Sequence, residues 1–486
     1  MSGRPRRESF ERSAAQLVGG NVAGSALLAV LVVILPRYVS IADYGYWQLY
    51  LFYATYLGYL SFGLADGIFL RYSGSRLEDV PARVVTGHVR ALLVLAGTTL
   101  GIAAAVVWAL VPDRRAAAAV ALACASTVAY LVRSLLTFTY QAANRPGLMA
   151  TSLVLERLVG LVVVVVLLSL GRTGLVGILL ADVAGRVVGL GYTLVRARGL
   201  VFVRALPARE SLHELRESFR GGIFVSIAAI ATVLVTAVGR FAAERGFGIE
   251  AFAQVALAFS LVNIVLTVVT PVSLAVLPNI RRQPAERLPA IYQRGLDLVM
   301  PGLVLSLLAY LPMAWAVGWW LPRYTLLPAF LGAMLPVVVF ESRTRLFAIP
   351  FLQGLRRERS LAAVNVASLL GAAGLAAFAV LVLHSVLATV LTVTVAVVGR
   401  ALVLERLTTR ALGLARRPRT AAELVVSVLF VLATSGRFGW LPWAALAVCW
   451  GGYLWWCRAM VTKLVLRLAR SARPTGRGGP APTVQG

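Results

Sequence analysis

The 486-residue sequence predicts an all-α polytopic membrane protein with about fourteen transmembrane helices, arranged as two parallel six-helix repeats plus a C-terminal helix pair. Three observations lead there. Hydrophobic residues fill 59% of the positions and charged residues 14%, where soluble domains carry roughly 25% charge. Apolar runs near the roughly 20 residues that a bilayer core about 30 Å thick requires recur along the whole chain, separated by short loops bearing arginine. Residue patterns of the first half also return in the second at a nearly constant offset. The runs must be helices, because a lipid-exposed segment has to satisfy its backbone groups internally. A membrane β-barrel would show short alternating segments, and Leu161–Leu170 does not alternate.

The spans are expected at 14–36, 47–70, 91–111, 116–139, 148–170, 174–195, 221–241, 250–278, 295–320, 326–352, 361–383, 386–405, 421–435 and 440–461. The first follows a basic arm, as a signal peptide would. No small-residue cleavage site follows it and many more apolar runs do, so it reads as a membrane helix. The eleventh and twelfth are divided only around His384–Ser385, and the thirteenth is short. Pro271, Pro301, Pro312 and Pro336 fall inside runs, and membrane bundles tolerate the kinks they cause. The stretch 201–220, with Leu212, Leu215 and Phe219 as an apolar stripe, reads as a cytoplasmic interfacial helix linking a lobe over 1–200 to a second over 221–410. The helix pair occupies 421–461, and 471–486, rich in Pro and Gly, reads as a disordered cytoplasmic tail.

A formal net charge of +27 would suggest nucleic acid in a soluble protein. Here the charges lie between apolar runs, so they set topology and no nucleic-acid partner is expected. With the N-terminus inside, 33 of the 47 Lys and Arg residues are cytoplasmic, and only eight lie outside. Those eight are Arg37, Arg114, Arg115, Arg172, Arg240, Arg245, Arg323 and Arg437. The bias predicts a multi-pass plasma-membrane protein with both termini cytoplasmic. Cys124, Cys449 and Cys457 sit in apolar runs with no metal or disulfide spacing, and no cofactor is expected.

The repeat has three parts. Arg7-Glu8-Ser9-Phe10 before the first span returns as Arg216-Glu217-Ser218-Phe219 before the seventh. Arg133, Gln141 and Arg145 return as Arg345, Gln353 and Arg357, and Gly185-Arg186 as Gly399-Arg400. Six helices is an even number, so both repeats enter the membrane from the same side. Parallel repeats of this kind handle substrate between their halves, the geometry of a transporter.

Several stretches carry a resemblance. Ala42-Asp43-Tyr44-Gly45-Tyr46-Trp47 opens the second span and Gly63-Leu64-Ala65-Asp66-Gly67 closes it. Phe138-Thr139-Tyr140-Gln141-Ala142-Ala143-Asn144-Arg145-Pro146 follows the fourth, and Val276-Leu277-Pro278 the eighth. Together they resemble the polysaccharide flippase branch of the multidrug/oligosaccharidyl-lipid/polysaccharide exporter superfamily. The resemblance implies two six-helix lobes, an added helix pair, and export of a polyprenyl-pyrophosphate-linked oligosaccharide by alternating access. Membrane lipids, and a polysaccharide polymerase or other assembly protein, are the implied partners. The lipid II branch concentrates arginines in its first, second and eighth helices. Here Asn21, Asp66 and Asn263 are the polar residues those helices offer. The drug-antiporter branch commonly places an acid in its first helix, and this chain has none there.

Arginine in mid-membrane costs about 2.5–3.5 kcal/mol on insertion scales, so each one needs a reason. Arg133, Arg345, Arg186 and Arg400 occupy repeat-equivalent positions. Each alone could snorkel to headgroups. Paired by the repeat, they read as substrate-binding residues forming a cationic floor for a pyrophosphate, which guanidinium contacts bidentately. Asp182 with Arg186, and Glu341 with Arg345, are four apart and share a helix face. Glu156 and Arg157 are adjacent and cannot, so one of them needs a partner on another helix. Asp182, Glu341, Glu156 and Arg157 are therefore candidates for charge coupling, with plain neutralisation as the alternative. A membrane polymerase or glycosyltransferase, and an ion-coupled antiporter of small molecules, are the rival functions. No catalytic triad, phosphate loop or metal-ligand spacing supports an enzyme, and Asp43 and Asp113 are the clearest outer acids.

Overall fold

The computed structural model describes residues 4–471 apart from 62, 173, 282, 416–417 and 437–438, and the expected tail from 472 onward lies outside the described residues. Among the described residues there is no strand. The helices are α1 (Arg4–Tyr38), α2 (Ile41–Leu57), α3 (Leu64–Tyr72), α4 (Ala82–Leu110), α5 (Arg114–Ala142), α6 (Gly147–Ser169), α7 (Leu175–Arg196), the short α8 (Arg198–Val201), and α9 (Ala208–Arg281). There follow α10 (Leu288–Leu305), α11 (Tyr310–Trp320), α12 (Leu327–Arg343), α13 (Ile349–Gly354), α14 (Glu358–Leu381), α15 (Val386–Ala411), α16 (Arg419–Thr434) and α17 (Leu441–Ser471). Among the described residues, ten stretches are long and apolar enough to cross a membrane. The chain is an all-helical, multi-pass membrane protein.

The difference between ten stretches and fourteen expected spans has local causes. The second expected span is two helices, because the chain leaves α2 at Leu57 and enters α3 through Gly63. Gly63 has φ +74°, a left-handed conformation that a residue without Cβ adopts freely. The seventh and eighth spans are one element, α9, whose single non-helical residue is Gly248 at φ 80°, ψ 176°. Residues 208–220, expected as a separate interfacial helix, are the opening turns of that same element. The thirteenth span, α16, has only 16 residues. The division at His384–Ser385 is present: His384 has φ +46°, and the Ser385 hydroxyl accepts from the Ala388 amide at 3.3 Å to start α15. Between α12 and α13, Thr344–Ala348 form a π turn. Pro350, one residue into α13, has no N–H for the carbonyl four positions back, which favours the wider turn.

In the first half α1 packs on α6, α6 on α7, α4 and α2 on α5, and α5 on α7. In the second, α9 packs on α14 and α12, α14 on α15, and α12 on α15. The most enclosed of these are α5 and α12, and α12 is buried along almost its whole length. Glycine sets the closest approaches. Gly20 and Gly24 lie against Ala150 and Leu153 of α6, and Gly185 of α7 lies against the Glu156 carbonyl. Gly20 and Gly24, and likewise Gly185 and Gly189, are four apart, so each pair presents two glycines on one helix face to a neighbouring helix.

The tightest crossing joins α3 to α9. A methyl group on Gly67 would overlap the Ser218 carbonyl, and one on Gly222 would overlap the Gly63 carbonyl. Beside this crossing Arg71 pairs with Glu214 at 2.5 Å and Glu217 at 3.3 Å, and His88 Nε2 meets the Ser218 hydroxyl at 2.9 Å. Backbone cannot yield as a side chain tip does, so Gly67→Val should destabilise the fold by about 1–3 kcal/mol. Thermal unfolding in detergent checks this, and an unchanged midpoint would mean the helices separate freely.

The two acids expected on the outer face both serve helix starts. Asp43 lies in the first turn of α2 and accepts from the Ser40 hydroxyl at 2.7 Å, while Ser40 caps the Asp43 amide. Asp113 caps α5, accepting from the Arg115 and Ala116 amides, and the Tyr46 hydroxyl donates to it at 2.6 Å. Burial works to raise the Asp113 carboxyl, but the Tyr46 hydroxyl and the two amides outweigh it and hold it below the ordinary range.

A cationic cavity between the two halves

A cavity of about 400 Å³ lies between α1, α2, α6 and α7 of the first half and α9 and α12 of the second. Its charged lining is Arg157 and Arg186 from one side, and Arg240, Glu341 and Arg345 from the other. Gln48, Ser260 and Asn263 add neutral polar groups. A second cavity of about 370 Å³, lined by Asp66, Ser226, Glu156, Arg157 and Arg186, shares its arginines with the first. There the Ser226 hydroxyl donates to Asp66 at 2.5 Å.

The helix positions of these groups follow from their spacing. Asp182 and Arg186, one turn apart on α7, pair at 2.9 Å, and so do Glu341 and Arg345. The neighbours Glu156 and Arg157 approach each other at 3.8 Å, and each also finds a partner on another helix. Arg133 of α5 reaches Glu156 at 2.8 Å, and Arg157 reaches Asp182 at 3.5 Å. The Tyr50 hydroxyl donates to Asp182 at 2.7 Å, and the Arg186 guanidinium lies 5.5 Å from the Tyr50 ring. In the second half both Arg345 and Arg400 bind the single carboxylate of Glu341.

The four arginines expected to form one floor therefore divide into two layers. Arg186 and Arg345 line the cavity. Arg133 and Arg400 stand behind it, buried against Glu156 and Glu341. Asn263 lines the cavity and Asp66 the neighbouring one.

Sequence reasoning missed two features. Arg240 was expected in an outside loop but lies on the α9 stretch that lines the cavity. Among the described residues it pairs with no carboxylate and its Nε is buried without a hydrogen-bond partner, while its guanidinium sits 4.8 Å from the Phe259 ring. The signal was available: Arg240 precedes Gly248 by two helical turns, so a span ending at the glycine would have enclosed it. The second feature is a buried cluster around Arg343, which binds Glu405 of α15 and Glu423 of α16 and donates to the Thr420 hydroxyl at 3.0 Å. Tyr453 of α17 donates to the same Glu423 at 3.2 Å. Residues 341, 343 and 345 alternate, and a helix turns about 100° per residue, so Arg343 must face away from the other two.

At the end of the bundle remote from the start of α1, the two halves are sealed. Arg37 of α1 stacks on Trp320 at 5.5 Å and donates to its carbonyl at 3.0 Å. Trp320 Nε1 donates to the Val33 carbonyl at 2.9 Å, and Arg323 to the Arg37 carbonyl at 2.8 Å. The Tyr44 and Tyr324 rings meet edge to face at 6.1 Å. Removing this roof with Trp320→Ala and Arg323→Ala should speed labelling of a Ser260→Cys reporter by an impermeant thiol reagent supplied from that side. Unchanged labelling would place the barrier elsewhere.

No family model matches the sequence, and no curated protein does. Solved structures do. A lipid II flippase MurJ in an inward closed conformation superposes with a TM-score of 0.62 at 11% identity, covering 93% of this chain and 99% of that one. An inward-facing multidrug resistance MATE family transporter of the MOP superfamily gives 0.59 at 15% identity, covering 85% and 96%. A MATE structure in complex with MaL6 gives 0.57 at 12% identity, covering 83% and 96%. At these identities the likeness concerns architecture, and the chain has the fold of these transporters.

Proposed function

We propose that the protein is a flippase that moves a polyprenyl-pyrophosphate-linked oligosaccharide from the cytoplasmic to the outer face of the plasma membrane by alternating access between lobes 1–200 and 221–410. The observation that carries the proposal is the charge around the central cavity. Six arginines (133, 157, 186, 240, 345 and 400) surround it with three carboxylates, Glu156, Asp182 and Glu341. Counting Asp66 of the adjoining cavity still leaves an excess of two positive charges. That excess complements a doubly charged pyrophosphate diester and repels a cationic drug, which favours a flippase over an antiporter of cations. Guanidinium groups in a site screened from water bind phosphate oxygens strongly.

The fold shared with a lipid II flippase supports a lipid-linked substrate. The matching order of helix packing in the two halves supports two equivalent lobes. The arginine bias supports cytoplasmic termini, and with that orientation the sealed end of the bundle faces outward, as in an outward-closed state. The four expected arginines then act in two layers. Arg186 and Arg345, joined by Arg240, contact the pyrophosphate, while Arg133 and Arg400 hold Glu156 and Glu341 in place. A pyrophosphate arriving at Arg186 and Arg345 competes with Asp182 and Glu341 for the same guanidinium groups, which links substrate entry to the carboxylates. Asp182, Glu341, Glu156 and Arg157 thereby become the groups through which charge is coupled to movement.

The test is reconstitution into vesicles with a fluorescent polyprenyl-pyrophosphate oligosaccharide, whose appearance in the far leaflet is followed by a membrane-impermeant quencher. Arg186→Gln with Arg345→Gln should abolish movement while the protein remains folded. Full activity in this double variant would remove the cavity from the pathway.

A further inference from the structure

A third cavity, of about 730 Å³, runs beside the cationic one, and its lining is apolar except for Arg245 at one rim. It is walled by Phe52, Tyr56 and Leu60 of the first half and by α9 and α14 of the second, so it follows the seam between the halves. Its mouth opens on the outside of the bundle: Phe241 is 46% exposed and Leu381 71%. Arg245, the charged exception, already pairs with Glu244 at 3.2 Å.

Two features join this groove to the cationic cavity. Tyr56 lines both. The same two turns or so of α9 also wall both, with Thr236 and Arg240 facing the cavity while Leu234, Ala237, Val238 and Phe241 face the groove. The two adjoin at Tyr56, so a molecule with an anionic group near Arg240 and a hydrocarbon chain in the groove would have each part in matching surroundings.

On the flippase reading above, we infer that this groove seats the polyprenyl chain of the substrate while the pyrophosphate occupies the cationic cavity. The chain enters and leaves through the seam between α2, α9 and α14, and it stays in an apolar environment throughout. The small side chains of Ala373 and Ala377 on α14 give the channel its width. The groove thus selects for a long, flexible hydrocarbon attached to the anion, and a soluble anion gains nothing from it.

Ala373 and Ala377 are exposed, so tryptophan at either position fills the groove without disturbing the core. The experiment measures binding of inorganic pyrophosphate and of farnesyl pyrophosphate to the full chain in detergent. The wild-type protein should bind the farnesyl compound the tighter by about tenfold or more, from the added apolar burial. Ala377→Trp or Ala373→Trp should erase that advantage and leave binding of inorganic pyrophosphate unchanged. An advantage that persists in both variants overturns the groove proposal and leaves the flippase reading standing. Failure of the wild-type protein to bind either compound overturns the flippase reading and the groove with it. Displacement of a photoreactive farnesyl pyrophosphate from the groove by phosphatidylglycerol alone would make ordinary membrane lipid the occupant, and would also overturn the proposal.

Discussion

Arg240→Gln is expected to weaken pyrophosphate binding on the order of 100-fold, the largest loss among the arginines of the cavity. The other cavity arginines already satisfy carboxylates: Arg186 with Asp182, Arg345 with Glu341, and Arg157 with Asp182. An anion must compete with those carboxylates for its contacts. Among the described residues Arg240 pairs with no carboxylate and has a buried Nε without a hydrogen-bond partner, with the face of Phe259 against the guanidinium, so an anion binds it without displacing a carboxylate. Hydrogen bonds to a charged group contribute about 1.5–3 kcal/mol each, and tenfold in affinity is 1.4 kcal/mol. Arg240→Lys keeps the charge and loses the planar fork, so it should recover only part of the affinity. Calorimetric titration with inorganic pyrophosphate reads both variants. An affinity unchanged by Arg240→Gln would assign binding to the paired arginines.

The largest effect on stability is expected from Arg343→Met. This substitution leaves Glu405 and Glu423 facing each other without their shared cation, in a place where Glu423 is fully buried. Breaking a buried charge network from one side costs about 3–5 kcal/mol, because the remaining charges stay desolvated. The same cluster ties α12 to α15, α16 and α17, so the C-terminal helix pair should loosen first. Adding Glu405→Gln and Glu423→Gln to Arg343→Met should recover much of the loss, since neutral amides need no counter-charge. Thermal unfolding of the single and triple variants decides it. Equal midpoints for wild type and Arg343→Met would show that the cluster contributes nothing to cohesion.

The class was legible in the sequence because the bilayer imposes a length and a polarity on every span. The ion pairs within a helix were legible too, because Asp182 with Arg186 and Glu341 with Arg345 are set by the helical period alone. The adjacency of Glu156 and Arg157 told that a neighbouring helix was needed without telling which one; α5 and α7 answer that only through tertiary packing. The break in the second span was illegible for another reason. Apolarity continues through residues 58–63, although the helix ends at Leu57 and the next begins only after the left-handed Gly63. Arg240 was misplaced because a hydropathy boundary drawn at Phe241 took the arginine for the end of a span. In fact the helix continues to Gly248, and the polar cavity beside Arg240 is something no one-dimensional pattern records.

The crossing of α3 and α9 at Gly222 has a mechanical consequence. From Ala208 to Gly248 α9 is one helix, and at about 1.5 Å per residue the crossing divides it into arms of about 21 and 39 Å. With glycine against backbone on both sides, this contact acts as a fulcrum and α9 as a lever. A tilt that moves the start of α9 by about 1 Å carries Gly248 nearly 2 Å the opposite way. A small push on the exposed turns around Leu212 thus arrives enlarged at Arg240 and at the roof of the cavity, and what grips the short arm controls the long one.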